Sequence, residues 1–590
     1  MAEVPTIVDI TWERVILTFV VEFPGPDVDS FHLTSHAKPG ERLLPIAHES
    51  IGNGRYRLRL NVTQFNRRGQ VADGAYFVAA QRGSELSLAS YPLDRTHELL
   101  DRSRAFIYNS NHSAYTVTFG ASDDEGAPCF LMRAYSFDRT WEKPASRIER
   151  TKQDLRDRWT KTKRMALRGI YAVASRRRPA DGKNILFASE LRTRLQGNLE
   201  AVHDRMVVRG LDEEFSFAYS FRTGDTASRL NAFRLAWQMG IANTILIDDY
   251  FDVLKDLGDR ESQKIIQLWH AGIGFKSVGY SRFGQYGSPN LRHPHRTYSF
   301  AIAGSQQLRD VYSEAFGIER EFVIATGLPR IDGFLREGRA EEYLADFERD
   351  FPDAKSKRKI LFAPTFRGWD DSDAYYDYGV LDFAALYEAC GEDSVILFRQ
   401  HHFISDPAPI PAEFRDRLVD VASCLDTNDL MLISDVLITD YSSVIYEYSL
   451  LERPMIFFAY DIDTYSATRG IHRDYRETAP GSIATTFEQL LSLLREPSLG
   501  VDKSKEFVKE NFDYVDTNNS DRVIDWLILS TPSEEPTAVE QVRDLESIRW
   551  IDDTKLSLGD IVTAPESHEG HVFTDENDKH DEESQWQTSQ

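Results

Sequence analysis

Four stretches of the 590-residue chain hold residue types suited to phosphate chemistry, and each follows a short apolar run. They are Leu268-Trp269-His270-Ala271-Gly272-Ile273-Gly274-Phe275-Lys276, Phe362-Ala363-Pro364-Thr365-Phe366-Arg367, Phe398-Arg399-Gln400-His401-His402, and Ile438-Thr439-Asp440-Tyr441-Ser442-Ser443. Together they offer imidazoles, cations, hydroxyls and backbone amides, a set suited to a phosphorylated donor and a hydroxyl acceptor. A hydroxyl nucleophile gains roughly 100- to 10,000-fold from a base with pKa near neutrality, and imidazole is the usual choice. A departing phosphate needs cations or amides where its charge accumulates. Ser442-Ser443 precedes Tyr446, Leu450 and Leu451 at helical spacing, so hydroxyls and first-turn amides would meet phosphate at a helix N-terminus. A Ser-Ser pair there is also an ordinary N-cap, and a strand-end histidine an ordinary hydrogen-bonding residue. The convergence of four strand ends favours a site.

The elements that must carry these stretches alternate between strand and helix. Strands are predicted at Asn184–Ala188, Thr244–Ile247, Ile265–Leu268, Tyr298–Ala303 and Phe322–Ile324, with helices at Arg229–Met239 and Gln306–Ala315. A second set begins at Lys359, with strands Ile360–Phe362, Val395–Phe398, Val436–Ile438 and Met455–Phe458, helix Phe383–Ala389, and further helices through Trp526. Alternation of this kind implies parallel sheets covered on both faces. Two such sets imply two doubly wound domains with a cleft between them, ligands lying beyond the carboxyl ends of the strands.

Residues 1–140 alternate differently. Ile16, Thr18 and Val20, then Tyr56, Leu58, Leu60 and Val62, then Tyr115, Val117 and Phe119 each place apolar side chains on one face, with turn signals such as Gly52-Asn53-Gly54 between the runs. This predicts an antiparallel β-sandwich without a catalytic constellation. The expected layout is a β-sandwich at 1–140, a basic helical linker at 141–183, Rossmann-like domains at 184–335 and 336–530, and a disordered tail at 531–590. The fold class is α/β.

Charge is uneven. The net −25 includes an acidic tail, with eight Asp/Glu and one Lys in 561–590, and a basic collar, with twelve Lys/Arg against three Asp/Glu in 147–178. Overall acidity argues against nucleic acid as a partner. The collar is either a solvated helix or a contact with anionic lipid, where each basic residue contributes about 1 kcal/mol; Trp159, Met165, Leu167, Ile170 and Tyr171 supply apolar side chains for the latter. The start lacks a basic n-region, and no run of about 18 apolar residues is present to span a bilayer. Cys129, Cys390 and Cys424 are odd in number and far apart, which predicts neither disulfides nor zinc and fits a reducing cytoplasm. His293 and His295 form a His-x-His without a carboxylate at useful spacing, so no metal is called for, and no cofactor. Asp248-Asp249 and Asp370-Asp371 read as loop charges.

Across Asn184 to Trp526 the sequence resembles the CDP-glycerol glycerophosphotransferases, which include teichoic acid polymerases and primases. The blocks that carry the likeness are Leu268-Trp269-His270-Ala271 with Phe275-Lys276 and Gly279-Tyr280-Ser281; Thr326-Gly327-Leu328-Pro329-Arg330-Ile331-Asp332; Phe362 to Arg367; and Asp429 to Gly470, ending in Tyr465 and Arg469-Gly470. The resemblance implies a GT-B-like pair of Rossmann-type domains. It also implies transfer of glycerol phosphate or ribitol phosphate from CDP-glycerol or CDP-ribitol to a hydroxyl of a lipid-linked glycan or polyol-phosphate polymer, releasing CMP. By position, His270 is the base for the acceptor, and His401, in Arg399-x-His401, meets the donor pyrophosphate. Ser442 and Ser443 bind phosphate, and Asp440 orders their turn or meets the donor. Thr365, Lys276, Arg367 and Arg469 are further donor-side candidates, the three cations offsetting phosphate charge or forming surface salt bridges. The expected location is the cytoplasmic face of the cell membrane, held peripherally through the collar.

Two departures matter. Ala271-Gly272-Ile273-Gly274 stands where many relatives have Gly-Thr-Pro, which leaves the polyol open, and Ile471-His472-Arg473-Asp474-Tyr475 is more polar than usual. A nucleotide-sugar glycosyltransferase would share the fold class but release a nucleoside diphosphate. An inactive wall-polymer binding protein would keep its binding after His270→Ala.

Overall fold

The computed structural model describes residues 4–530 apart from 24–27, 66–68, 93–94, 110–112, 125–126, 139–146, 223–228, 252, 255–256, 258–262, 286, 292, 369–372, 405, 423–425 and 497–498. The acidic tail, Asp370-Asp371 and Cys424 lie outside the described residues.

The alternating N-terminal region forms ten strands: β1 (Thr6–Glu13), β2 (Ile16–Glu22), β3 (Ser30–Ser35), β4 (Leu43–Gly52), β5 (Arg55–Asn61), β6 (Gly74–Arg82), β7 (Glu85–Leu88), β8 (Arg104–Tyr108), β9 (Ser113–Asp124) and β10 (Ala127–Asp138). Hydrogen bonds join them into one antiparallel sheet in the order β1-β2-β5-β4-β3-β6-β10-β9-β8, with β7 on β6. Trp12 and Phe19, near one end of that order, meet Phe106, Phe119 and Phe130 near the other, with ring centroids 5.5 to 6.3 Å apart. The sheet therefore wraps over its own apolar face. The inward face of β2 differs from the expected one: Leu17, Phe19 and Val21 fill the core, while Ile16, Thr18 and Val20 are half-buried. Both faces of this strand are largely apolar, so alternation alone does not choose between them.

A 29-residue helix, Arg147–Ser175, follows. Near its end Leu167, Tyr171 and Ala174 are buried, whereas Trp159 and Met165 are exposed. No helix among the described residues is long and apolar enough to cross a membrane.

Two six-stranded sheets follow, parallel throughout. The first contains β11 (Asn184–Ser189), β12 (Ser216–Phe221), β13 (Thr244–Ile247), β14 (Lys264–Gln267), β15 (Phe300–Ile302) and β16 (Val323–Ile324), in the order β12-β11-β13-β14-β15-β16. The second contains β17 (Arg358–Phe362), β18 (Ser394–Phe398), β19 (Leu418–Asp420), β20 (Val436–Thr439), β21 (Met455–Phe458) and β22 (Ser482–Ala484), in the order β19-β18-β17-β20-β21-β22. The central strands are buried on both faces, which is why they read as continuous apolar runs. The three sheets lie in one compact unit. The last described helices return to the first parallel sheet: Asp521 and Asp525 pair with Arg205 and Arg209, and Asp332 accepts from Asn519 and Ser520.

Candidate functional site

Open parallel sheets bind ligands where strand order reverses, because the chains leaving two neighbouring strands diverge there and open a crevice. In the second sheet the reversal falls between β17 and β20. Phe362 and Ile438 are paired across it, so Ala363–Arg367 and Asp440–Ser443 leave side by side. In the first sheet it falls between β11 and β13, whose ends carry Glu190–Arg192 and Asp248-Asp249. His270 follows β14, the neighbour of β13.

The turn that presents His270 is tightly specified. Trp269 adopts a left-handed backbone, φ 49°, which a bulky residue holds only under strong local constraint. The constraint is visible: the Gln267 side chain accepts from the Trp269 amide at 2.8 Å, and the Asn198 amide donates to the carbonyls of Leu268 and Trp269 at 2.8 and 2.6 Å. His270 Nδ1 lies 3.0 Å from the Asp248 carbonyl oxygen and donates to it. That bond fixes the tautomer and makes Nε2 the basic nitrogen. Burial pulls the imidazole down to about 4, and the charges of Arg192, Arg330 and Lys276 act the same way.

In the second half Asp440 is the organising residue. One carboxylate oxygen accepts from the amides of Thr365 and Tyr441 at 2.8 and 2.6 Å, and the other from Arg367 Nη1 at 2.8 Å. Arg367 also forks onto Asp461, at 2.7 and 2.9 Å, and donates to the Thr365 carbonyl at 2.6 Å. Burial opposes its charge, but Asp440 and Asp461 hold its pKa above the ordinary arginine value. Among the described residues the buried Thr365 hydroxyl has no hydrogen-bond partner. His401 packs at a tilt against Phe366, ring centroids 4.6 Å apart, and its Nδ1 accepts from the Phe403 amide at 3.3 Å, so Nε2 carries the proton. Burial, and then the charges of His402, Lys276 and Arg399, lowers His401 to about 3. It is a neutral donor. Arg469 lies over the Phe366 ring at 5.1 Å and donates to the Gly368 carbonyl.

The two halves meet at the glycine-rich loop. A Cβ on Gly272 would lie 2.3 Å from the Tyr446 ring, whose hydroxyl donates to the Ile273 carbonyl at 2.9 Å. Lys276 forms a backbone bridge with Ile471, and burial lowers its ammonium to about 8 while Asp440 opposes the shift. Its charge is felt by both His270 and His401. Arg330 pairs with Glu447 across the same boundary. A cavity of about 750 Å³ opens here, with His270, Arg192 and Arg330 from the first half and Ser443 and Glu447 from the second among its lining.

A family model described as CDP-Glycerol:Poly(glycerophosphate) glycerophosphotransferase matches residues 170–529. The chain belongs to this family. It is 37% identical over 365 residues to the teichoic acid poly(ribitol-phosphate) polymerase of Bacillus spizizenii, covering 62% of this chain and 59% of that protein. It is 36% identical to the teichoic acid ribitol-phosphate polymerase TarK of Staphylococcus aureus, covering 58% and 67%, and 33% identical to TarL of the same organism, covering 70% and 75%. The chain thus spans about three-fifths of the first of these relatives and more of the others. Among solved structures, one of the wall teichoic acid polymerase TagF aligns over 70% of this chain and 100% of that one, at 23% identity and a TM-score of 0.49.

Within the family frame, the geometry sorts the candidate residues. Lys276, Thr365, His401, Asp440 and Arg469 are gathered at the meeting of the two halves, and His270 shares its cavity with Ser443. Arg367 is committed to Asp440 and Asp461 and works as a brace. Arg399 donates to Thr427 Oγ1 and to the Val421 and Ala422 carbonyls, tying down the chain after β19. Ser442 and Ser443 precede a helix of only five residues, Ile445–Ser449, shorter than the spacing of Tyr446, Leu450 and Leu451 predicts, because Leu450 and Leu451 lie in the turn that follows. His293 and His295 pack as a ring pair 4.4 Å apart, and His295 is buried on the Tyr298 hydroxyl and against Trp269. Asp248 and Asp249 are not loop charges: they stand against His270 at the end of β13. Their position directly after the run Thr244–Ile247 was the available signal, since the other four stretches also sit at strand ends.

Proposed function

We propose that the chain transfers a polyol phosphate from a CDP-activated polyol to a hydroxyl of a teichoic acid-type polymer and releases CMP. The observation that carries the reading is the cavity that His270 and Ser443 both line, with Lys276 within electrostatic reach of both histidines. His270 Nε2 takes the proton of the acceptor hydroxyl as its oxygen bonds to the polyol-bearing phosphorus. The P–O bond to CMP breaks with its electron pair going to the CMP phosphate, whose charge meets Lys276, the His401 Nε2–H and the hydroxyls of Ser442, Ser443 and Thr365. Donor phosphates also offset the cationic field that weakens His270, so the base gains strength when the donor is bound. Holding both reactants in one crevice supplies much of the rate.

The two parallel-sheet halves are read as a GT-B-like pair, donor on the second and acceptor on the first, with the N-terminal sheet as an appended sandwich. Relatives at 37, 36 and 33% identity are named as ribitol-phosphate polymerases, while a poly(glycerol phosphate) polymerase stands at 32% over a shorter stretch; CDP-ribitol is therefore the first donor to test. The acceptor, lipid-linked, would be met at the inner membrane face, with the basic helix against anionic lipid. Vesicle sedimentation that is unchanged when the collar arginines are neutralised would remove that contact.

The test of the reaction is nucleotide release from CDP-ribitol and CDP-glycerol, with and without a polyol-phosphate acceptor. Acceptor-dependent CMP, lost in His270→Ala, is the expected result. A folded protein that releases no CMP from either donor with varied acceptors overturns the reading.

A further inference from the structure

The His270 side chain has a second neighbour besides the Asp248 carbonyl. The nearest Asp249 carboxylate oxygen lies 3.6 Å from Nδ1, and Asp249 is largely buried. The two acids divide their partners. Arg192 Nε stands 3.1 Å from the Asp248 carboxylate. Asp249 has, among the described residues, His270 as the ion-pair partner within 4 Å. Its backbone carbonyl is held by Gln267 at 2.9 Å, the same side chain that fixes the Trp269 amide, so carboxylate and imidazole are set by one bracket.

We propose that Asp249 is the positioning carboxylate of His270: it faces the nitrogen that is not used as the base and stabilises the imidazolium formed when the acceptor proton arrives. This deepens the proposed function and rests on His270 being its base. A carboxylate at 3.6 Å favours the charged imidazole, the stronger because the site is partly shielded from water. It also offsets Arg192, Arg330 and Lys276, which disfavour that charge. Asp249 is itself pushed up to about 7, by burial first, then by Asp248 and Glu190, against the Tyr250 amide and Arg192; Tyr298 also faces it. At 3.6 Å the two groups titrate as a coupled pair, so the first proton taken up belongs to the pair and not to either residue alone.

Two measurements on the full chain test this. In wild type, kcat falls as pH drops through about 7, because protonation of the pair removes the base. In Asp249→Asn the plateau falls 10- to 100-fold and the acid limb moves down by at least one pH unit, towards the value of His270 alone; KM for the donor changes less than threefold, and Asp249→Glu recovers part of kcat. A uniform loss at all pH values with the limb in place marks a merely structural residue and overturns the proposal. The second measurement needs no substrate: C2 hydrogen–deuterium exchange of His270, read by peptide mass spectrometry against pH. Its midpoint drops by at least one unit in Asp249→Asn, and an unmoved midpoint overturns the proposal even if CMP is released. A shifted midpoint in a protein that releases no CMP upholds the pair and refutes the reaction instead. If Asp249→Asn does not fold, Asp249→Glu is read in both assays, with a changed midpoint and limb expected and identity with wild type refuting.

Discussion

Besides the packing of Phe283 on Phe106 and Tyr108, one buried polar cluster ties the N-terminal sheet to both parallel-sheet halves, and Arg14→Ala tests what it does. Arg14 holds a left-handed backbone, φ 54°, in the turn between β1 and β2. Its guanidinium forks onto Glu314 at 2.8 and 2.8 Å and donates to the His472 carbonyl. His472 Nε2 is 3.2 Å from Glu314, and its amide donates to the Phe275 carbonyl at 3.0 Å, next to Lys276. Arg14 and Glu314 are 17% and 7% exposed, so removing one partner belongs to the lower part of the range for buried pairs, about 3 kcal/mol. At about 1.4 kcal/mol per decade this is on the order of a hundredfold in local opening. Native-state hydrogen exchange of peptides spanning 272–280 and 467–476 should lose about that much protection, with kcat for CMP release falling alongside. Acid acts in the same direction. Burial opposes the Glu314 charge, but Arg14 and His472 hold its pKa at about 2; its contribution is complete above the ordinary carboxylate value of about 4.3 and is lost as pH falls towards 2. His472 is lowered, by burial first, so protonation below about pH 6.5 also favours opening. Unchanged exchange and unchanged turnover in Arg14→Ala would refute the reasoning and leave the attachment of the N-terminal sheet to the apolar packing of Phe283 on Phe106 and Tyr108.

Two further substitutions separate packing from chemistry. Gly272→Ala places a methyl in the Tyr446 ring, an overpacking cost of about 1–3 kcal/mol that falls on the contact between the halves; kcat/KM should fall well before the melting temperature of the whole chain does, and unchanged kcat/KM would show that the loop relaxes freely. Arg367→Lys keeps the charge but loses the fork to Asp461 and the reach to Asp440, so a stability loss of about 3–5 kcal/mol is expected in thermal unfolding. A raised donor KM with no loss of stability would instead return Arg367 to a direct phosphate role.

The sequence made some of this legible because some of it is local. Thr244–Ile247 and Met455–Phe458 were readable to the residue, since central parallel strands bury both faces and their apolar runs end where the chain leaves the sheet. The strands that escape the same reading are β12, β19 and β22, all at sheet edges, where half-exposed side chains such as Tyr219 and Ser482 break the run. The same distinction separates the candidate residues. His270, His401, Asp440 and Ser443 follow apolar runs directly, and a strand end in a parallel sheet is a position with chemical meaning. Asp249 satisfies the same rule, yet its type and neighbour made it look like solvated charge; what distinguishes it is a histidine 21 positions on, brought back by the adjacent parallel strand. Arg14, Glu314 and His472 follow no such rule. Arg14 and Glu314 lie 300 positions apart and Glu314 and His472 158, and nothing local in the turn, the helix or the loop that carries them reports that this carboxylate will be buried against Arg14 and His472. What fixes them is the docking of three sheets, so their meaning is a property of the assembled unit, and perturbing them should be felt at Lys276 although none of them touches the reacting atoms.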